Sequence, residues 1–198
     1  MSLPKNRPQP NLDPQADMHT ASGQAVFFTE PAKTQVYAFD LYTHLKNQNR
    51  YNGGIECSIL MHLAICVTIC ELSEESEALT AQVAAHDLHE AYVSDIVTGM
   101  KRRLYTFQDI EVAWEAYLYA KLGIPRPEKE DAYRLKDIDM AALYGEMHLF
   151  AHPAKELVKL NDPPMRYVAK AAAARMSNLG PEAHWKVLCR AIPALESL

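Results

Sequence analysis

The residues most able to do chemistry first gather in the stretch Ala85-His86-Asp87-Leu88-His89-Glu90. The periodicity of residues 73–93 predicts a helix. Its apolar stripe, Leu79 and Val83, runs on through His86, Asp87 and Glu90. An imidazole and two carboxylates therefore end an inward face. Burying such groups unpaired costs several kcal/mol. They must be hydrogen-bonded to neighbours, paired with a cation or bound to a metal ion. Two other helical stretches aim similar groups inward. His62 lies midway along residues 57–71, which are apolar nearly all round. Asp139 falls on the stripe Leu135, Ile138, Ala142, Glu146 and Leu149 of residues 128–150, where Glu146 could orient a ligand or accept a hydrogen bond. Asp137 falls on the opposite, solvated side. One buried histidine is more often a satisfied core residue than a ligand. Two imidazoles and two carboxylates from three segments instead make a nitrogen and oxygen shell for one first-row divalent ion. An ion held this way lowers the pKa of bound water and polarises a phosphoryl group. His62 also shares a face with Cys66 and Cys70, so a mixed zinc site is conceivable, but the paired-cysteine spacing of structural zinc sites is missing.

Nearly all periodic stretches have the helical period, so the expected fold class is all-α. Residues 1–18, with Pro4, Pro8, Pro10 and Pro14, read as a flexible tail, and residues 19–198 as a single domain. Residues 25–28 suit a short strand or hairpin arm. Residues 39–47 read as a helix with Asp40 near its start, and residues 49–54 as a loop marked by Asn52-Gly53-Gly54. Ser73 is the expected N-cap of the helix over 73–93. Residues 94–103 form a polar, basic connection. Residues 106–121 are amphipathic and stop at Gly123, Pro125 and Pro127. Pro153 closes the helix over 128–150; further helices follow from Pro163-Pro164 to Met176 and from Pro181 to Ile192. Trp114 and Trp185 read as packing. The amphipathic stretch 164–195 offers a surface for a second copy, so a homo-oligomer is expected.

Composition narrows the function. The net charge is −5, so no global basic field gathers a nucleic-acid polymer, and an anionic substrate needs a local basic pocket. Cys57, Cys66, Cys70 and Cys189 read as reduced thiols of a cytoplasmic protein. No signal peptide is visible, and the longest apolar run, residues 59–70, is too short for a bilayer and contains His62. No membrane role is expected.

The order His62, His86-Asp87, Asp139 resembles the HD phosphohydrolase superfamily. Flanking elements extend the likeness over residues 19–150. Ser22-Gly23-Gln24, Pro31, Asn49-Arg50-Tyr51-Asn52-Gly53 and Ser58 with His62 look like the “SG…P” arm, “RFxG” loop and “YSVAxHS” helix of a phage and bacterial branch. His86-Asp87-Leu88-His89-Glu90-Ala91 with Asp95 is similar to the “HDxxEA…D” element of 5′-deoxynucleotidases. Lys136-Asp137-Ile138-Asp139, Ala142-Leu143 and Glu146 look like “KxxD..AL..E”. Met61 and Gly99 depart from the pattern, which has Glu or Gln and proline there.

The resemblance implies an HD-domain helical bundle with a short N-terminal arm. It implies one divalent transition-metal ion (Co, Mn, Zn, Fe or Ni, with Mg also a candidate) on His62, His86, Asp87 and Asp139. The substrate is then a deoxynucleotide, hydrolysed at its 5′-monophosphate ester. The alternatives are triphosphate release from a dNTP such as dATP, (p)ppGpp hydrolysis, or a silent nucleotide-binding module. Glu90, one turn beyond His86, positions the attacking water or shuttles its proton; the other reading is an ordinary hydrogen bond to a ligand. Asp95 matches the acid that helps the nucleophile or the sugar, or is a helix cap. Arg50 is the phosphate-binding arginine. Tyr51 stacks on a base or fills the surface, and Lys101 of the run Lys101-Arg102-Arg103 touches phosphate. His89 sits off the His86–Glu90 face and reads as exposed or beside a ligand.

Overall fold

Residues 59–70 carry no Asp, Glu, Lys or Arg and are all buried, so this stretch can only be stable with other elements laid around it. The computed structural model, which describes residues 3–4, 7–150 and 152–198, builds the molecule in that way. The helix α1 (Ala38–Asn47) leads into the central α2 (Ile59–Leu72). Ser58 caps α2 by accepting from Met61 N at 3.1 Å. There follow α3 (Glu77–Ala85), α4 (Glu90–Val93), α5 (Thr98–Lys101), α6 (Tyr105–Leu122), α7 (Lys129–Leu149), α8 (Pro163–Ser177) and α9 (Pro181–Ala191). The fold is all-α apart from an antiparallel pair, β1 (Met18–His19) and β2 (Ala25–Val26), in which Met18 faces Val26.

Two expectations about the helix over 73–93 are corrected. Ser73 ends α2 rather than starting the next helix. The chain reverses there through Glu74, whose φ is +54°, and Ser76 accepts from Leu79 N at 3.2 Å to begin α3. The helix then breaks. Residues 86–89 tighten to three-residue hydrogen bonds, Leu88 N to Ala85 O and Glu90 N to Asp87 O, both 3.1 Å. The His86-Asp87 pair therefore sits in the break between α3 and α4.

The arm is held from two sides. Ser22 donates to the buried Asp40 carboxylate through its N–H (2.9 Å) and its hydroxyl (2.7 Å). The Trp114 indole on α6 donates to Phe28 O at 3.1 Å. Met1, Ser2, Lys5 and Asn6 of the expected tail lie outside the described residues. Within the rest of it, Gln9 O accepts from Gln24 Nε2 at 2.6 Å, Asn11 bridges to Gln24, and Met18 belongs to β1. The connection over 94–103 contains α5.

The C-terminal helices belong to the core. Met165, Ala169, Ala172, Ala173 and Met176 of α8 are buried, as are Trp185, Val187 and Leu188 of α9. Their buried faces pack against α2 and α7. The closest approach is at Gly145 of α7, where an added Cβ would lie 2.5 Å from the Ala169 carbonyl oxygen. All four cysteines are buried and unpaired. No described helix is long and apolar enough to cross a membrane.

Candidate metal centre

Three segments bring His62, His86, Asp87 and Asp139 together. His62, fully buried on α2, points Nε2 at Asp87 Oδ2 and at Asp139 Oδ1 of α7, each 3.6 Å away. His86 Nε2 lies 3.2 Å from the same Asp87 oxygen. The rings of His62 and His86 meet edge-on with centroids 5.5 Å apart.

The far nitrogen of each ring is already committed. His62 Nδ1 is 2.6 Å from Glu146 Oε1, and an ionised carboxylate only accepts, so Nδ1 carries the proton. His86 Nδ1–H donates to the Val83 carbonyl at 2.7 Å. In the neutral rings both Nε2 lone pairs are thus left facing the two aspartates, the orientation that metal-binding histidines take. His86 Nε2 is buried and makes no hydrogen bond, a costly state without a further partner. His62, His86 and Asp87 bring ligand atoms within 4.8 Å of one another and could hold a metal ion; Asp139 lies outside that trio and reaches it through His62 Nε2. Their chemistry, two imidazoles with carboxylates, suits a first-row divalent ion.

Electrostatics point the same way. Burial pushes the Asp87 carboxyl up, but His86, His62 and Arg50 outweigh it and hold the group well below the usual carboxylate range. Asp139 is likewise lowered against its burial by His62 and His86. Burial works against charge on His86, yet Asp87 and Asp139 prevail and raise its pKa to about 9. That proton occupies the nitrogen a metal ion would need. Ion affinity is therefore expected to fall about tenfold for each pH unit below 9 that this proton must leave, and to level off above it. Titration calorimetry with Mn²⁺ at pH 7 and pH 8, in buffers of different ionisation enthalpy, checks both the slope and the released proton.

Glu146 is the hub behind the centre. It is fully buried, accepts from His62 and from the Tyr51 hydroxyl (2.6 Å), and lies 3.3 Å from Arg50 Nε. Arg50 also reaches Asp87 Oδ2 with Nη1 at 3.5 Å, its side chain 15% exposed. Despite its burial, Glu146 is held below the usual range by His62 and Arg50. Glu146→Ala leaves a buried guanidinium and imidazole without their anion and is expected to cost about 3–5 kcal/mol. Urea unfolding of the metal-free protein measures this, and a loss under about 1 kcal/mol would show that the ion pair is not a net contributor.

The remaining sequence-derived residues lie around this core. Glu90 on α4 is 3% exposed, and its Oε2 has no hydrogen-bond partner. Burial, then Asp87 and Asp95, push its carboxyl well above the ordinary value. Asp95 follows the end of α4 and caps neither α4 nor α5. Lys101 Nζ is 3.4 Å from Glu90 Oε1 and 2.6 Å from Glu111 Oε1. Burial disfavours its charge, but the bond to Glu111 and the charge of Glu90 raise its pKa. Tyr51 has φ +57° and stacks on His152 with centroids 6.1 Å apart, its hydroxyl spent on Glu146 rather than on the surface. Of the two readings of His89, exposed or beside a ligand, the first is corrected: it is 7% exposed, turned inward at the break over 86–89 toward Glu111 (3.5 Å). Glu111 was not singled out from the sequence. Its signal was available: it lies three and seven residues before the buried Trp114 and Leu118, on the inward face of α6. The mixed His62–Cys66–Cys70 zinc grouping does not form among the described residues. Cys66 Sγ packs 3.6 Å from His62 Nε2 with its thiol pushed far up by burial, and Cys70 turns to a cleft by Glu75 and Thr80.

No protein-family model and no curated protein matches the chain.

Proposed function

We propose that the chain is a metal-dependent phosphohydrolase of the HD type, acting on deoxynucleotide monophosphates. One observation carries the reading: two imidazole Nε2 atoms and two aspartates converge from three segments, with one of those nitrogens buried and unpartnered. His62, His86, Asp87 and Asp139 would hold the ion. When bound, a divalent ion polarises a phosphoryl oxygen and acidifies water.

The protein's own groups do the rest. Glu90 takes the proton of the attacking water on its free Oε2; its raised pKa brings it nearer the working pH, where a general base is most useful. Arg50, fixed by Asp87 and Glu146, turns its remaining N–H donors to a phosphoryl oxygen. Glu146 and the Val83 carbonyl keep the two imidazoles from rotating. Asp95, whose charge is felt at Glu90, would help the nucleophile or the sugar. Among the described residues the cations at the centre, Arg50, Lys101 and Lys136, are all already paired with acids, Lys136 with Asp139 at 2.7 Å, which favours one phosphate over three.

The test is phosphate release from dNMPs, dNTPs and ppGpp with Mn²⁺, Co²⁺ or Mg²⁺. Ion-dependent orthophosphate from dNMPs, abolished by chelator, is expected. Triphosphate from dNTPs or pyrophosphate from ppGpp replaces the substrate assignment. No release from any of them with ion bound overturns the enzyme and leaves a binding module.

A further inference from the structure

Beside the centre lies a second group that a metal ion could also bridge. The ligand atoms of His89, Glu90 and Glu111 lie within 4.8 Å of one another. Their side chains are 9%, 3% and 14% exposed. An imidazole and two carboxylates, largely withdrawn from water, make a donor set for a divalent ion. Three atoms there are buried without a well-formed hydrogen bond, Glu90 Oε2, His89 Nδ1 and Glu111 Oε1, the last held only by ionic contacts. Yet a cation already stands among them. Lys101 Nζ is 2.6 Å from Glu111 and 3.4 Å from Glu90, on an otherwise apolar stem that α5 carries across.

We infer that Lys101 is a built-in second cation, locked in a His89–Glu90–Glu111 cage that would otherwise take a second divalent ion. The inference rests on the reading of His62, His86, Asp87 and Asp139 as the first ion's ligands. It makes the centre one exchangeable ion plus one tethered charge. An ammonium is a compact point charge with three donors. It balances Glu111 and steadies one oxygen of Glu90, and leaves Oε2 free. His89 and Glu111 then never touch substrate; they are positioning residues that act through Lys101.

Metal stoichiometry tests this without reference to turnover. After dialysis against excess Co²⁺, wild type is expected to hold one ion per chain. Lys101→Met, which keeps the stem and removes the charge, should hold two. Lys101→Arg should hold one, and adding Glu111→Gln to Lys101→Met should return the count to one. Co²⁺ should also raise the melting temperature of Lys101→Met more than that of wild type. Two ions in wild type, or one in a folded Lys101→Met, overturns the inference. So does a Lys101→Met chain that stays unfolded in Co²⁺, since the ion was to replace the ammonium. A wild type that binds no ion removes the first site itself, a failure visible before any variant is made. A wild type with one ion and no phosphate release sinks the enzyme reading and leaves the cage to be judged on its own counts.

Discussion

If the proposed centre holds a divalent ion, Asp87→Ala is expected to abolish its binding. Asp87 Oδ2 is 3.2 Å from His86 Nε2, 3.6 Å from His62 Nε2 and 3.5 Å from Arg50 Nη1, so one carboxylate oxygen joins both imidazoles and the arginine. Residues that merely orient metal ligands cost about 10–100-fold in affinity when changed, so loss of a ligand is expected to exceed about a hundredfold. Asp87→Asn separates charge from shape. It keeps an oxygen near both imidazoles but gives up the anion that keeps His86 charged. The two variants should therefore differ in the pH dependence of whatever binding survives. Calorimetry with Mn²⁺ reads both quantities. Wild-type affinity in the alanine variant would take Asp87 out of the ion's surroundings, and with it the assignment of the other three.

Under the proposed function Glu90→Gln should do the opposite, sparing ion binding and abolishing hydrolysis. Glu90 lies one turn past the ligand pair, and its free oxygen has no structural partner to lose. A positioned base contributes about 10²–10⁴-fold, and kcat is expected to fall by that amount with ion affinity unchanged. The direction of its pKa adds a second reading. Because burial, Asp87 and Asp95 hold the carboxyl well above an ordinary glutamate, activity should be lost on the acid side at a higher pH than an exposed glutamate would set. That limb should vanish in the glutamine variant. Near-normal turnover with ion bound would move the proton to another acid, and Asp95 is the next to change.

The four ligand candidates could be found from sequence because each is a polar residue on an inward helical stripe, and burial is what periodicity reports. Most helix bounds followed from proline, glycine and the apolar repeat, as at Pro163 and Gly123. What periodicity cannot report is which face meets which. The helix over 73–93 was read as continuous because its spacing is helical throughout, yet the chain breaks at 86–89 to turn both His86 and His89 inward. The same blindness hid Glu111, whose partners come from the break over 86–89 and from α5, and the pairing of Lys101 and Arg50, which look solvated or free until their acids arrive. Nor could periodicity say that the apolar faces of α8 and α9 pack against this chain's own α2.

Gly145 precedes Glu146, and its missing side chain lets α7 rest directly on the Ala169 backbone of α8. The height at which that helix rides decides how far Asp139 stands from His62. A methyl group at position 145 would act as a shim, prising the ligand pair apart without meeting ion or substrate. Ala169 and Ala173 of α8 thus form part of the bed on which the Glu146 end of α7 lies.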